Sequence, residues 1–166
     1  MSQETIASTE TPAQSSKEAA AMRIVREYMG WSSGAGLIPL PLLDLAAIAL
    51  VEIKMIHSLT DLYGVPFSRS AARSIIGGLI GGGGTFVLAA PAASVLKVIP
   101  VVGQVAGMLA EPAIAAAATY AVGKVFIQHF ESGGSLLDFN PKEGRRYYQE
   151  HFAAAKEQGP SAAGDA

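Results

Sequence analysis

Few residues of this chain have the type and spacing that chemistry requires. Its 166 residues include no cysteine and three histidines, His57, His129 and His151, and no two of these histidines have the spacing of a metal-binding pair. No Gly-x-Ser-x-Gly motif is present to hold a nucleophilic serine, although a Ser/His/Asp set from distant positions stays open, as it does in any chain of this size. The pattern predicts a protein that is not an enzyme, with no metal site and no cofactor.

Four consecutive glycines, Gly81 to Gly84, invite comparison with a phosphate-binding loop. Such a loop needs Gly-Lys-Ser/Thr after its glycines and a strand before them. Here Thr85-Phe86 follows and a helical pattern precedes, so nucleotide binding is not predicted. Glycines four residues apart let two helix backbones approach closely, and we interpret them as a helix–helix interface, with a flexible hinge as the alternative. The glycines with this spacing are Gly77 and Gly81, Gly78 and Gly82, and Gly103 and Gly107.

Isolated charges in apolar segments are candidates for a buried polar site or a partner contact. Asp44 follows two prolines in an apolar stretch, and at a helix start it would interact favourably with the helix dipole. The alternative is a contact with an ion, a proton or a partner, because an unpaired buried carboxylate is costly. Glu52 and Glu111 are weaker candidates, and Glu111, which precedes a proline, is expected to mark a helix junction. Lys97 and Lys124 flank apolar segments and should extend towards an interface.

The elements that would position these residues are predicted to be helices. Apolar residues recur at helical spacing over 17–29, and the glycines and serines that begin at Gly30 should end this helix. A second helix should run from about 41 to 63. Pro41 suits its first turn, and Gly64 suits its end.

The longest charge-free segment spans residues 74–96, and six of its first eleven residues are glycines. As a helix it would be about 35 Å long, enough to cross ~30 Å of hydrocarbon. A second apolar stretch covers 98–123, and Pro91 and Pro100 should kink or break the helices. We therefore expect a third helix to lead into a Gly/Ala-rich apolar helical hairpin over 74–123.

The whole chain is predicted to be an all-α helical bundle, because neither strand-type alternation nor an internal repeat is present. Asn140-Pro141 is a typical helix start, and a charged helix on the surface is expected after it. Both ends of the chain have the polar composition of disordered segments. The predicted boundaries are a tail over 1–16, a helical domain over 17–139, a C-terminal surface helix over 140–157 and a tail over 158–166.

The charge distribution favours a membrane partner over nucleic acid. Charged residues make up 16% of the chain, compared with roughly 25% in soluble domains. The net charge is −2 and no basic block is present, whereas nucleic-acid binding needs clustered cations. Basic residues flank the hairpin on its outer sides, and Lys97 lies alone between its two stretches. The positive-inside rule then predicts a protein on the cytoplasmic side of the inner membrane, with both termini cytoplasmic.

Three separated motifs in this order resemble the bacterial DUF697 family. They are GLIPLPLLDLAAIALVEIKMIHSLTDLYGVPFS (36–68) with the glycine run after it, Ile99-Pro100-Val101-Val102-Gly103, and ATYAVGKVFIQHFESGG (118–134). The resemblance covers roughly residues 34–139. It implies an α-helical, membrane-associated domain of uncharacterised function with no catalytic residues to transfer. Some members adjoin or are fused to GTPase domains, which implies that any GTPase partner of this chain is a separate protein.

Three functions are compatible with these observations. The first is a non-enzymatic, membrane-associated protein that self-assembles through its glycine faces and acts as a scaffold, a membrane organiser or a recruiter of partners. The second is a soluble homo-oligomer that buries the apolar hairpin between subunits, since Ala and Gly are only weakly hydrophobic. The third is an oligomeric pore or transporter with Asp44 or Glu111 along its path, because broken helices occur in such proteins.

Overall fold

Five helices form the part of the chain that the structure describes. The structure is a computed structural model, and it describes residues 12–35, 41–80 and 102–162. No strand occurs within these ranges, so the prediction of an all-α helical bundle is confirmed. The helices are α1 (Pro12–Ala35), α2 (Pro41–Tyr63), α3 (Arg69–Ile80), α4 (Val102–Glu131) and α5 (Pro141–Ala162).

The bounds of α2 are those predicted from its terminal residues. Gly64 adopts a φ of 71°, the left-handed conformation that glycine tolerates best at a helix end. Its N–H donates to the carbonyl of Asp61, and the N–H of Val65 donates to the carbonyl of Thr60 at 2.9 Å. These bonds satisfy carbonyls that the helix would otherwise leave without donors. The Ser68 hydroxyl then accepts the N–H of Ala71 and caps α3.

Helix α1 is longer at both ends than its sequence pattern predicts. It begins at Pro12, so residues 12–16 of the predicted tail are helical, and it continues through Gly30 to Ala35. The expected break at Gly30 is wrong. Each glycine inside a helix costs about 1 kcal/mol, but Met29 and Ser32 are buried beside it. The packing of this last turn therefore outweighs the tendency of the glycines to end the helix.

Helix α4 is continuous through Pro112, so the helix junction expected at Glu111 is also wrong. Proline removes one backbone hydrogen bond inside a helix. The turns that follow are buried on every side, from Ala115 through Ala118 and again around Phe126. This burial holds α4 at the centre of the bundle, where it packs against α1, α2 and α5.

Helix α5 begins where the sequence predicts, with the Asn140 side chain accepting the N–H of Lys142. It is also more deeply packed than a surface helix, because Tyr148 and Ala155 are buried. Arg145 donates two hydrogen bonds to the carbonyl of Gly78 in α3, at 2.8 and 3.2 Å. The C-terminal helix is thus part of the same core as the predicted helical domain.

The predicted hairpin over 74–123 is described only at its two ends. Residues 74–80 complete α3, and residues 102–123 form most of α4. The segment between them lies outside the described residues, and with it Gly81, Gly82 and Lys97. The side chains of Asp44 and Glu111 also lie outside the described part, although both positions are helical.

Candidate functional site

Glu52 is a fully buried carboxyl group in the middle of α2. Its side chain is 0% exposed, and neither carboxylate oxygen has a hydrogen-bond partner among the described residues. Burial raises the pKa of the Glu52 carboxyl to about 8, because a charged group loses its hydration in an apolar interior. The carboxyl is therefore mostly protonated at pH 7.

Tyr148 of α5 is a buried polar group on which the charge of Glu52 acts. Its hydroxyl is buried and likewise has no hydrogen-bond partner among the described residues. Burial raises the pKa of Tyr148, and the negative charge of Glu52 raises it further. Helices α2 and α5 thus bring a carboxyl and a phenol into the same apolar region, and among the described residues no hydrogen bond offsets the cost of burying either group.

Sequence reasoning ranked Asp44 above Glu52, although a signal for Glu52 was present. The exposed residues of α2 include Lys54 and His57, and Glu52 lies about 160° away from Lys54 at 100° per residue. It shares the opposite face with Met55, Ile56 and Leu59, which are all buried. The three- and four-residue spacing of this face identifies Glu52 as a core residue.

A serine and an aspartate of the loop after α4 do meet a histidine in the last turn of α4, but not in a catalytic arrangement. The Ser135 hydroxyl and N–H both donate to Asp138 Oδ1, at 3.0 and 2.6 Å. His129 Nε2 lies 2.8 Å from the carbonyl oxygen of Ser135 and 3.3 Å from Asp138 Oδ1. A catalytic triad needs the serine hydroxyl to donate to histidine. These three residues instead close the loop, where Gly133 has a φ of 82°.

Lys124 lies in α4 with 26% of its side chain exposed, and its Nζ is 3.8 Å from Glu18 Oε1 of α1. Lys97 and Lys124 are the two lysines that flank the apolar segments, and of these two the structure describes the side chain of Lys124 alone. It lines a cavity between α1 and α4. Its extension towards an interface of the protein with a membrane remains a prediction.

The two neighbouring glycines of α3 have different surroundings. Among the described residues, a Cβ atom placed on Gly77 would meet no atom of a neighbouring element within 4 Å, whereas one on Gly78 would lie 3.3 Å from Pro141 of α5. Gly77 is exposed, and the carbonyl of Gly78 is bonded by Arg145. The surroundings of Gly103 and Gly107 in α4 lie outside the described residues.

The closest glycine-mediated helix contact in the described bundle involves Gly123, which sequence reasoning did not select. A Cβ there would lie only 2.5 Å from a methyl group of Val25 in α1. Ala115, Thr119 and Gly123 are spaced four apart and are all buried, the same small-residue spacing that singled out the other glycines. Thr119 shares a 2.6 Å hydrogen bond with Ser32 of α1. We call this contact the α1–α4 seam.

None of the helices, over the residues that the structure describes, combines the length and apolarity needed to cross a bilayer. The described molecule is an all-α bundle built around one central helix, with a protonated carboxyl in its core. The chain belongs to the DUF697 family, a domain of unknown function, whose model matches residues 1–157.

A relative with a curated name gives a second line of comparison. Magnetosome membrane protein 22 of Magnetospirillum gryphiswaldense (strain DSM 6361 / JCM 21280 / NBRC 15271 / MSR-1) is 40% identical to this chain over 147 residues. The match covers 88% of this chain and 75% of the relative. No solved structure matches the chain significantly. The relatedness therefore extends across the whole bundle and associates its family with a membrane protein.

Proposed function

We propose that this protein is a non-enzymatic, membrane-associated scaffold that self-assembles through a glycine face of α3 and recruits partners with its polar ends. The membrane part is supported by the relative named as a magnetosome membrane protein and by the charge-free run over 74–96. The proposed location is the cytoplasmic side of the inner membrane, with both termini in the cytoplasm. Family resemblance makes a separate GTPase a candidate among the partners.

The observation that carries the assembly proposal is the open face of α3. Ser70, Arg73, Ser74 and Gly77 are exposed, and they recur at three- and four-residue intervals along one side of the helix. Gly81 continues that spacing. Serine and glycine keep the backbone accessible, so a helix of a second copy can approach closely.

The neighbouring face of α3, which contains Gly78, is already covered by α5 of the same chain. Gly78 packs against Pro141 of α5, and its carbonyl accepts two bonds from Arg145. A helix from another copy would have to displace α5 to reach it. The proposed self-assembly surface is therefore the Gly77/Gly81 side of α3 rather than the Gly78/Gly82 side.

The experiment compares Gly77→Leu with Gly30→Leu in the full chain. Both glycines are helical, and a Cβ added at either would meet no neighbour within 4 Å in the part of the chain that the structure describes. Both substitutions should therefore raise helix stability by up to ~1 kcal/mol. We expect Gly77→Leu alone to reduce the oligomer size measured by light scattering in detergent and after reconstitution in vesicles. Unchanged size for Gly77→Leu, or an equal loss for Gly30→Leu, contradicts the α3 interface.

Flotation with vesicles tests the membrane part separately in the same preparations. Leu88→Asp places a charge in the charge-free run, and Leu137→Asp makes the same change at a loop residue that is 86% exposed. An aspartate at the centre of an inserted segment costs about 3 kcal/mol. We expect Leu88→Asp to lose flotation and Leu137→Asp to retain it. An assembled protein that never floats supports the soluble oligomer instead.

A further inference from the structure

Arg69 and Arg73 are the basic residues of α3, and both are exposed. They lie four residues apart, so their side chains share one face of the helix. The buried side of α3, which includes Ile75 and Leu79, faces the bundle instead. The two arginines are therefore presented to the surroundings of the bundle, and we call them the α3 arginine pair.

The α3 arginine pair has no counter-charge. Neither guanidinium group makes an ion pair or a hydrogen bond within the described part of the chain. No acidic residue occurs in α3 or between it and Asp61 of α2, and Asp61 lies 3.9 Å from His57. Two like charges four residues apart on a helix repel each other. The pair is thus a local positive charge that an anion from outside the chain can neutralise, in a protein whose net charge is −2.

The position of the pair in the chain indicates where that anion comes from. Ser74, the residue after Arg73, begins the charge-free run over 74–96. Along the helix axis both arginines lie within about 8 Å of Ser74, which is close to the ~5–8 Å thickness of one headgroup layer. A membrane that takes up the charge-free run therefore meets the arginine pair with its headgroups.

Arg73 also lies beside the proposed assembly face of α3. It projects about 40° from Gly77 around the helix at 100° per residue. Copies that insert from the same side of a membrane would meet through this face in parallel, which brings four arginines together at the level of the headgroups. Phosphate groups between these arginines would offset their repulsion, which a neutral surface could not do.

We propose, on the basis of the membrane association proposed above, that the α3 arginine pair binds the phosphate groups of anionic phospholipids at the membrane surface. The arginine fork matches the oxygens of phosphate and forms two parallel hydrogen bonds with them. The exposed Ser74 can donate a further hydrogen bond from its hydroxyl. An anionic surface attracts cations, whereas phosphatidylcholine carries no net charge. The pair therefore selects lipids by their charge.

Flotation of the full chain over a range of lipid concentrations measures this selection. Vesicles of phosphatidylcholine alone are compared with vesicles that also contain phosphatidylglycerol. Half-maximal flotation should need about thirtyfold less lipid with phosphatidylglycerol, because each cation near an anionic surface contributes about fivefold. High salt should reduce this preference, since it screens charges. Equal lipid requirements for the two compositions overturn the proposal. Absence of flotation with both overturns the membrane association itself, and the lipid site with it.

Three double variants separate the arginine pair from the net charge of the protein. Arg69→Gln with Arg73→Gln should abolish the preference for phosphatidylglycerol and leave flotation with phosphatidylcholine unchanged. Arg23→Gln with Lys54→Gln removes the same charge from exposed positions of α1 and α2 and should retain the preference. Arg69→Lys with Arg73→Lys keeps the charge of the pair and should retain most of the preference. The proposal is overturned if the α1/α2 variant loses as much preference as the glutamine pair, or if the lysine pair does.

Discussion

The α1–α4 seam and the region around Glu52 and Tyr148 both place polar groups in the core, with opposite outcomes. In the seam, Ser32 and Thr119 are fully buried, and their hydroxyls bond to each other. In the other region, the carboxyl and the phenol are buried without hydrogen-bond partners among the described residues. The two hydroxyls of the seam satisfy each other with a hydrogen bond that involves no ionisable group, so it persists at any pH. Burial raises the pKa of the Glu52 carboxyl, so this region destabilises the fold more as the carboxyl loses its proton.

The largest expected effect comes from breaking the seam at Gly123. A Cβ alone would lie 2.5 Å from Val25, so Gly123→Leu must separate α1 from α4. We expect the free energy of unfolding to fall by more than about 3 kcal/mol, or the chain not to fold. Urea unfolding followed by circular dichroism measures this loss.

A matched control for Gly123→Leu is Gly34→Leu, at a helical glycine of α1 where an added Cβ would have no described neighbour within 4 Å. It should not destabilise the protein. A Gly123→Leu protein that is as stable as the parent would show that the seam can open without cost, and that close packing does not hold α1 in place.

The second effect concerns the pH dependence of stability through Glu52. Its pKa is about 8 in the folded protein and near 4.5 in the unfolded chain. Between these values the unfolded chain binds fewer protons than the folded protein, so stability falls as pH rises. The slope approaches about 1.4 kcal/mol per pH unit and vanishes below the lower and above the higher pKa.

Glu52→Gln removes this titration. We expect the variant to gain stability relative to the parent steadily from about pH 4.5 to pH 8, as measured by urea unfolding at each pH. Glu27→Gln changes an exposed carboxylate of α1 and should track the parent throughout. Parallel stability curves for Glu52→Gln and the parent would mean that Glu52 has a proton affinity in the fold no different from that in water.

The smallest of the three effects is the loss of the seam hydrogen bond. Ser32→Ala leaves the buried Thr119 hydroxyl unsatisfied and should cost about 1–3 kcal/mol. Adding Thr119→Val removes the orphaned hydroxyl, so the double variant should recover most of that loss. Chemical denaturation of the two single variants and the double variant gives the coupling energy. If the loss of unfolding free energy in the double variant equals the sum of the two single losses, the two hydroxyls do not stabilise each other.

Much of this fold could be predicted from residues that act locally. Pro41 and Gly64 gave the bounds of α2, and Asn140-Pro141 gave the start of α5, because caps and turns depend on neighbours in sequence. The prediction of helix throughout followed from the period of the apolar residues. These features need no knowledge of what packs against them.

The predictions that were wrong involve residues whose state depends on distant partners. The turn after Gly30 is helical because Ser32 meets Thr119, and α4 continues through Pro112 because its next turns are enclosed. Gly123 lies outside the glycine-dense run, and its close approach to α1 depends on Val25, a residue distant in sequence. Helical periodicity is enough to predict that Glu52 is buried. That its carboxyl has no hydrogen-bond partner among the described residues depends on how α5 packs, and only the structure shows it.

The seam also imposes an order of events during synthesis. Ser32 and Thr119 are 87 residues apart in sequence, so the seam between α1 and α4 cannot form until α4 has left the ribosome. The charge-free run over 74–96 emerges before α4 does. Contacts between distant residues form late because they must first close a long loop. A nascent chain therefore presents its longest charge-free segment before the seam can form, and a membrane or a chaperone has first access to this segment.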